Sequence, residues 1–435
     1  MNDHFLKPKI AWLFLILCLP QIQVASQVTR KPYLQIPTPT SVVISWHSGT
    51  GVAGKVYYGK TLNALENNIL ESEYEEIYHE VEVTGLFPDT RYYYSVEGPS
   101  KGTEEQYFIT NPEAGASTPV RIWVISDFGQ TNSNQNDERL ETVAQWKSFN
   151  NNAYHANFVL SLGDQTEDDS RYQLQHNYFN QLENVLINTP LFTAIGNHDN
   201  HDGMVNYLST FALPANAEAG GIASGTEKYY SFDYANIHVV VLCTEIGDGS
   251  TEWNEQVEWL KKDLDDNHQD WLIACMHRPF HSGGHHRTDE EQDPQDRRED
   301  WLPVLEGHGV DLVLQGHNHV YERSFLLDNL IGKTTTLSDA NVVDGGLGRE
   351  DGDGAYRKNK NAPHQGTIFV EVPGGGVASE DFEPYSIFPV HYNGYEYEGS
   401  LIVDISGNRM DVRFLCNEMN EEGSHIWDSF TIIKD

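Results

Sequence analysis

Cysteine is scarce in this chain, four residues in 435, and one of the four, Cys18, falls in an apolar run near the start. A sequence so poor in thiols lacks the density of a disulfide scaffold. Basic residues are also few: 28 lysines and arginines stand against 65 aspartates and glutamates, a formal net charge of -37. Such a surface repels nucleic acid and anionic membrane, and it repels anionic substrates unless local cations correct the field. Chemistry on phosphate would therefore need metal. The run from Ile10 to Leu19 is too short to cross a bilayer comfortably. No internal repeat and no low-complexity tract stands out.

What is present begins with Lys7 and Lys9, the apolar run, and the small residues Ala25 and Ser26 before Gln27. This is a signal-peptide layout over residues 1–26, with cleavage near Ser26, and predicts a secreted or periplasmic protein with no membrane span once it is removed. A short membrane anchor, or lipidation at Cys18 behind bulky Leu17, are the lesser readings. Cys243 and Cys275, in VVVLCT and WLIACMH, read with Cys416 as buried thiols.

The length favours two domains. From Lys31 to about Pro112 short strands alternate with turns, among them SVVISW, KVYYG, EVEVTGLFPDTRYYYSVEG and QYFIT. That texture predicts a β-sandwich over residues 27–112, and the LFPDTRYYY segment resembles the tyrosine-bearing corner of fibronectin type III modules. Residues 111–119, NPEAGASTP, read as a linker. Beyond it apolar strands (VRIWVIS, NFVLSL, LFTAI, IHVVVL, WLIACM, DLVLQ) alternate with helical patterns, one using Leu140, Val143 and Trp146 and another using Val257, Leu260 and Leu264. This predicts a layered α/β domain over 113–435, closing with the strands GTIFVEV, GSLIVDI, MDVRFL and DSFTIIK.

Polar clusters follow most of these strands directly: SDFG, GDQTE, GNHD, MHRPFHSGGHH and GHNH. Singly each is a turn signal. Together, at the carboxyl ends of α/β strands, they predict one shared site. Their carboxylates, imidazoles and amide are the donors that hard and borderline cations take, and they outnumber what one ion uses, which argues for two metals bridged by a carboxylate. A metal pair suits in-line displacement at phosphorus.

The ordered set DFG, GDQT, GNHD, MH and GHNH resembles the metallophosphoesterases, and within them the purple acid phosphatases. KPYLQIPTPTSVVISW, GHNHVYERS and the closing DSFTIIKD extend the likeness over most of the chain. DFG alone would suit a kinase, but neither a Gly-rich phosphate loop nor an HRD-type loop accompanies it. The resemblance implies a four-layer α/β/β/α catalytic domain holding two metal ions (iron, zinc or manganese). In it Asp164 bridges both ions, Asp127 and His319 serve one, and Asn197, His277 and His317 serve the other. It also implies that His198 contacts the phosphate or attacking group with Asp199 as its orienting carboxylate. His285 and His286 resemble the pair that binds phosphate and protonates the leaving oxygen, one residue nearer His277 than in the plant enzymes.

Three positions depart from that pattern. Ala274 stands where valine is usual. Glu167 occupies the position of the tyrosine ligand, and Gly129 the position where other metallophosphoesterases carry a histidine. Glu167 replaces the tyrosine as a ligand, or water does, or the first site is weak; without the tyrosinate the protein should not be purple. Asp168 and Asp169 read as a solvated acidic loop, and Tyr172 as a conceivable substitute ligand. The stretch VVDGGLGREDGDGAY from Val342 fails the EF-hand spacing and reads as a flexible surface loop near the site entrance.

The expectation is an exported phosphomonoesterase that attacks small phosphorylated substrates with a metal-bound hydroxide, without binding nucleic acid. A phosphodiesterase or nucleotide hydrolase is the neighbouring reading, and a non-catalytic exported binding module with a degraded metal site the distant one.

Overall fold

The computed structural model describes residues 27–129, 136–360, 362–375, 385–392 and 397–435. The expected leader, residues 1–26, lies outside them. Strands β1 (Val28–Gln35), β2 (Val42–Gly59), β3 (Ile69–Val83), β4 (Arg91–Ser95) and β5 (Tyr107–Ile109) form one five-stranded sheet. The segments SVVISW and KVYYG, expected as separate strands, run on as the single strand β2. Its pairing with β3 is interrupted between His47 and Val52 and again between Ala53 and Lys55. β1 flanks the first half of β2 and β4 its last three residues, while β3 follows the opposite edge. Residues from both halves, Ile44, Trp46 and Val56 with Tyr92, Tyr94 and Phe108, enclose one core. The expected two-sheet sandwich is thus a continuous sheet curled over its apolar face, since irregular pairing adds bend and twist. Tyr92 Oη accepts the Phe87 N–H at 3.1 Å, which is the tyrosine corner the sequence suggested.

The remaining strands are β6 (Val120–Ile125), β7 (Phe158–Ser161), β8 (Leu191–Thr193), β9 (Tyr230–Tyr234), β10 (Ile237–Val241), β11 (Trp271–Cys275), β12 (Leu312–Gln315) and β13 (Tyr321–Arg323). After the small pair β14 (Leu326–Leu327) and β15 (Val342–Asp344) come β16 (Tyr356–Lys358), β17 (Ile368–Glu371), β18 (Val390–Tyr392), β19 (Gly399–Ser406), β20 (Arg409–Cys416) and β21 (Ile426–Lys434). They build two seven-stranded sheets, β16-β21-β20-β19-β6-β7-β8 and β18-β13-β17-β12-β11-β10-β9. The sheets meet face to face: Phe192 of β8 stacks on Phe232 of β9 at 3.7 Å, and Tyr321 of β13 on Phe414 of β20 at 4.2 Å.

Helix Asn136–Phe149 covers the first sheet, stacking Trp146 on Trp123 of β6 at 5.3 Å. Of its expected stripe Val143 and Trp146 are buried, but Leu140 is exposed; Arg139 and Thr142 fill the inner face instead. On the second sheet helix Thr251–Asp266 buries Val257, Leu260 and Leu264 as its spacing predicts, and Ser250 caps it by accepting the Trp253 N–H at 3.1 Å. The α/β/β/α order is the one the resemblance implied. Cys243, Cys275 and Cys416 are buried, and none of them forms a disulfide among the described residues. Among the described residues no helix is long and apolar enough to cross a membrane.

The N-terminal sheet docks on the two-sheet α/β domain through Tyr33 Oη to the Thr210 carbonyl at 2.7 Å and Tyr94 Oη to the Ile187 carbonyl at 2.8 Å. The acidic stretch from Val342 is not a free loop at the site. Arg349 bonds Asp428 at 2.7 Å, and Glu350 bonds Arg409 in the hairpin at the β6 end opposite Asp127. One charge of each sign in the stretch is thus engaged by the sheet, Arg349 by Asp428 and Glu350 by Arg409, which anchors it there.

Candidate metal centre

In one sheet β6, β7 and β8 run parallel, and in the other β10, β11 and β12 do. Their carboxyl ends face each other across the seam between the sheets. Directly past those ends lie Asp127 after β6, Asp164 after β7, Asn197 and His198 after β8, His277 after β11, and His317 and His319 after β12. Asp127, Asp164, His317 and His319 all have left-handed backbones, with φ of 50°, 52°, 81° and 53°. Each such non-glycine residue costs about 1 kcal/mol, strain that clusters where function fixes a side chain's direction. Two glycines permit the close approach. A Cβ at Gly196 would lie 2.0 Å from Asp164 Oδ1, and one at Gly129 would lie 1.6 Å from the Gln165 carbonyl oxygen. No side chain of any kind fits at position 129, which explains the missing histidine there.

The side chains converge in two groups around Asp164. His277 Nε2 stands 3.3 Å from Asp164 Oδ2 and 3.2 Å from Asn197 Oδ1, and ligand atoms of Asp164, His277 and His317 all lie within 4.8 Å of one another. On the other side His319 Nε2 lies 3.2 Å from Asp127 Oδ1. The Leu162 carbonyl accepts from His277 Nδ1 at 2.9 Å, fixing the tautomer that presents Nε2 to the cluster. Asp127 Oδ2 accepts the His317 N–H at 3.1 Å and the Ser126 hydroxyl at 2.5 Å.

Charge is concentrated here under burial. Burial alone would lift the Asp127 carboxyl, but the neighbouring His319 charge and hydrogen bond hold it down at about 2. Burial likewise opposes charge on His277, yet the Asp164 carboxylate beside it raises the imidazole to about 9. Burial, then the cations of His277 and Arg278, push His317 well below the usual histidine range.

His198 Nδ1 donates to the main-chain carbonyl of Glu167 at 2.7 Å, leaving Nε2 3.9 Å from Asp164 Oδ2. Asp199 does not orient it. Its buried carboxylate accepts the main-chain N–H groups of Asp164 at 2.8 Å, Gln165 at 3.0 Å and Gly196 at 2.9 Å, tying two strand-end loops together. Glu167 also differs from the expected ligand. With Gln165 and Thr166 buried, the chain turns outward at Glu167, whose half-exposed carboxylate contacts His198 Nδ1 at 3.9 Å. Asp168 is solvated as expected, but Asp169 is buried and accepts the Asp202 N–H at 2.7 Å. Tyr172 is exposed and stacks on His176, away from the cluster.

Of the histidine pair, His286 faces the centre: its ring stacks on His317 at 4.3 Å while His285 is exposed. Asn318, between the two GHNH histidines, accepts the His286 N–H at 2.7 Å and holds that loop in place. Arg278 was missed by sequence reasoning. Its Nη1 lies 3.2 Å from His317 Nε2, and its Nε donates to Glu245 at 2.7 Å. The signal was available, since Arg278 follows a candidate ligand and Glu245 lies just past a sixth strand end, that of β10.

A family profile described as calcineurin-like phosphoesterase matches residues 120–321, and one described as purple acid phosphatase, N-terminal domain, matches residues 30–111. Purple acid phosphatase 15 of Arabidopsis thaliana is 32% identical over 272 residues, 57% of this chain and 49% of that protein, so the chain spans about half the length of that relative. Purple acid phosphatase 18 of the same plant is 29% identical over 86% of this chain and 82% of its own. Among solved structures, a purple acid phosphatase from yellow lupin seeds shares the fold with a TM-score of 0.71 at 20% identity, covering 93% of this chain and 74% of the other. The two profiles together take in more than half of the chain, in the order of the two folds described above. The chain belongs to the purple acid phosphatase branch of the calcineurin-like phosphoesterases, a family of metal-dependent phosphatases.

Proposed function

We propose that this protein is an exported phosphomonoesterase with a dinuclear metal centre, built as residues 27–112 followed by 113–435. The observation that carries the reading is Asp164, set between the Asp127–His319 pair and the Asn197, His277 and His317 group. The donor set fits two hard or borderline cations such as iron, zinc or manganese: two carboxylates, three imidazoles and an amide oxygen, with the His277 tautomer already fixed. Asp127 and His319 would hold one ion, Asn197, His277 and His317 the other, and Asp164 both. Such a pair lowers the pKa of bound water and offsets phosphate charge, which an acidic protein cannot do with its own field.

The residues around it have separable tasks. His198 Nε2, aimed by the Glu167 carbonyl, borders Asp164 on the open side and is positioned to meet a phosphate oxygen or the attacking group. His286 lines the His317 side and supplies the imidazole nearest a leaving oxygen. Arg278, clamped by Glu245, offers guanidinium donors to a phosphoryl oxygen. With Glu167 turned outward and no tyrosine ligand, the loaded enzyme is colourless or pale, not violet.

The test is metal content with turnover of nitrophenyl phosphate and bis-nitrophenyl phosphate. About two metal equivalents and monoester preference are expected, and Asp164→Asn should strip metal and abolish turnover. Full turnover in Asp164→Asn would refute the assignment, and diester preference would replace the substrate class.

A further inference from the structure

Around the amino end of β12, opposite the carboxyl end that carries His317 and His319, a second group of ligand-type side chains comes together. Glu306 lies near the end of helix Leu302–Gly307, Asp328 directly follows β14, and His364 sits in the turn before β17. One ligand atom from each lies within 4.8 Å of the other two. His364 Nδ1 is 3.0 Å from Asp328 Oδ1, and the His364 N–H donates to the Glu306 carbonyl at 2.9 Å. None of the three belongs to the strand-end clusters.

We propose that Glu306, Asp328 and His364 form a third metal site, separate from the phosphatase centre, that binds one borderline divalent cation of the zinc type and ties the three segments together. The charge balance supports it. Glu306 is 2% exposed and Asp328 8%, two carboxylates in contact range with little water. Burying one such anion is costly and a second beside it more so, unless a cation is shared. The nearest buried ammonium does not serve. Lys358 is taken by Asp311 at 2.8 Å and by the carbonyls of Val310 and Gly366.

The second observation is an orphan acceptor. Glu306 Oε2 accepts the Asn329 N–H at 2.9 Å, but Oε1 is buried with no hydrogen-bond partner among the described residues. A carboxylate oxygen left so is expensive, and coordination would satisfy it.

The donor types choose the class of ion. One imidazole nitrogen and two carboxylate oxygens, with a water as fourth ligand, suit tetrahedral zinc chemistry; calcium prefers six or more oxygens, and no thiol is present for softer ions. His364 has a left-handed backbone, φ of 54°, and a side chain 46% exposed, so the site opens to solvent on that side for ion entry.

The experiment counts zinc. Full-length wild type and His364→Ala are each equilibrated with zinc alone, freed of loosely held ion by gel filtration, and counted by plasma mass spectrometry. The expected result is about one equivalent fewer in His364→Ala, with zinc affinity at this site falling more than roughly 100-fold, beyond what outer-shell partners contribute. Phosphatase turnover of His364→Ala should stay that of wild type. Glu306→Gln, which keeps size and shape, should lose the same equivalent. Equal zinc counts in all three proteins would overturn the site. Asp164→Asn removes the other ions and leaves this difference standing, so failure of the dinuclear reading and failure of this one are told apart.

Discussion

Asp199→Asn separates two roles for one buried carboxylate. Its Oδ2 accepts two N–H groups, from Asp164 and Gly196, and Oδ1 accepts one, from Gln165. An asparagine retains one acceptor oxygen. In its better orientation that oxygen keeps two bonds while the new amide group faces the Gln165 N–H, donor against donor. Hydrogen bonds to a charged group are worth about 1.5–3 kcal/mol each, and a stranded buried donor costs about 1–3 kcal/mol. Part of this is returned, because burial and then the Asp164 charge hold the Asp199 carboxyl well above the ordinary range, and the neutral amide relieves both. The net expectation is a loss of about 2 kcal/mol for Asp199→Asn. Asp199→Ala strands all three donors, and the loss rises to about 4–6 kcal/mol. Urea unfolding reads the stability, and metal content should fall in step because the loops bearing Asp164 and Asn197 lose their tie. The reasoning is refuted if Asp199→Asn keeps stability within about 0.5 kcal/mol and full metal while its pH–rate profile shifts as that of a His198 variant does. That outcome would make the carboxylate a partner of His198.

Arg278→Ala should raise KM for a monoester and weaken product inhibition by inorganic phosphate roughly ten- to hundredfold, the worth of a charged hydrogen bond. Metal content should not move, and unaltered phosphate inhibition would remove Arg278 from the substrate's contacts. His238, buried between Asp233 and Asp263 at 2.8 Å from each, is lifted to about 9: burial opposes the charge, and the two carboxylate hydrogen bonds outweigh it. A folded pKa above the unfolded 6.5 means stability fully present below about pH 6.5 and lost as pH rises through 9, on the order of 3 kcal/mol. Urea midpoints from pH 6 to 10 should fall accordingly, and flatten in His238→Gln. Tyr92→Phe should cost the N-terminal domain about 1 kcal/mol by removing the acceptor for the Phe87 N–H; an unchanged melting curve would show the corner to be ornamental.

The strands that carry the site were legible because each is a short apolar run closed by a polar cluster, and apolar alternation survives without tertiary context. β2 was misjudged because its bulges around residues 47–55 look like a turn in one dimension, whereas pairing with β3 carries the strand through them. Leu140 was misplaced for a related reason: Arg139 and Thr142 take the inner face because Thr142 Oγ1 finds a buried carbonyl, that of Gly375, and periodicity does not register such a partner.

Within the site, ligand identities followed from residue type, but directions did not. Asp127, Asp164, His317 and His319 point inward by way of left-handed backbones, a choice no propensity for Asp or His predicts. The same gap explains Asp199 and Glu167. A carboxylate one residue after His198 was expected to serve the imidazole, and one three residues after Asp164 to serve a metal. In the fold the three buried N–H donors around Asp199 claim the first. After buried Thr166 the chain turns outward, so the second meets His198 by a hydrogen bond to its main-chain carbonyl and turns its carboxylate toward solvent. Spacing along the chain thus selects which groups are available, and the unsatisfied main-chain donors and acceptors of the strand-end loops decide which of them the centre receives.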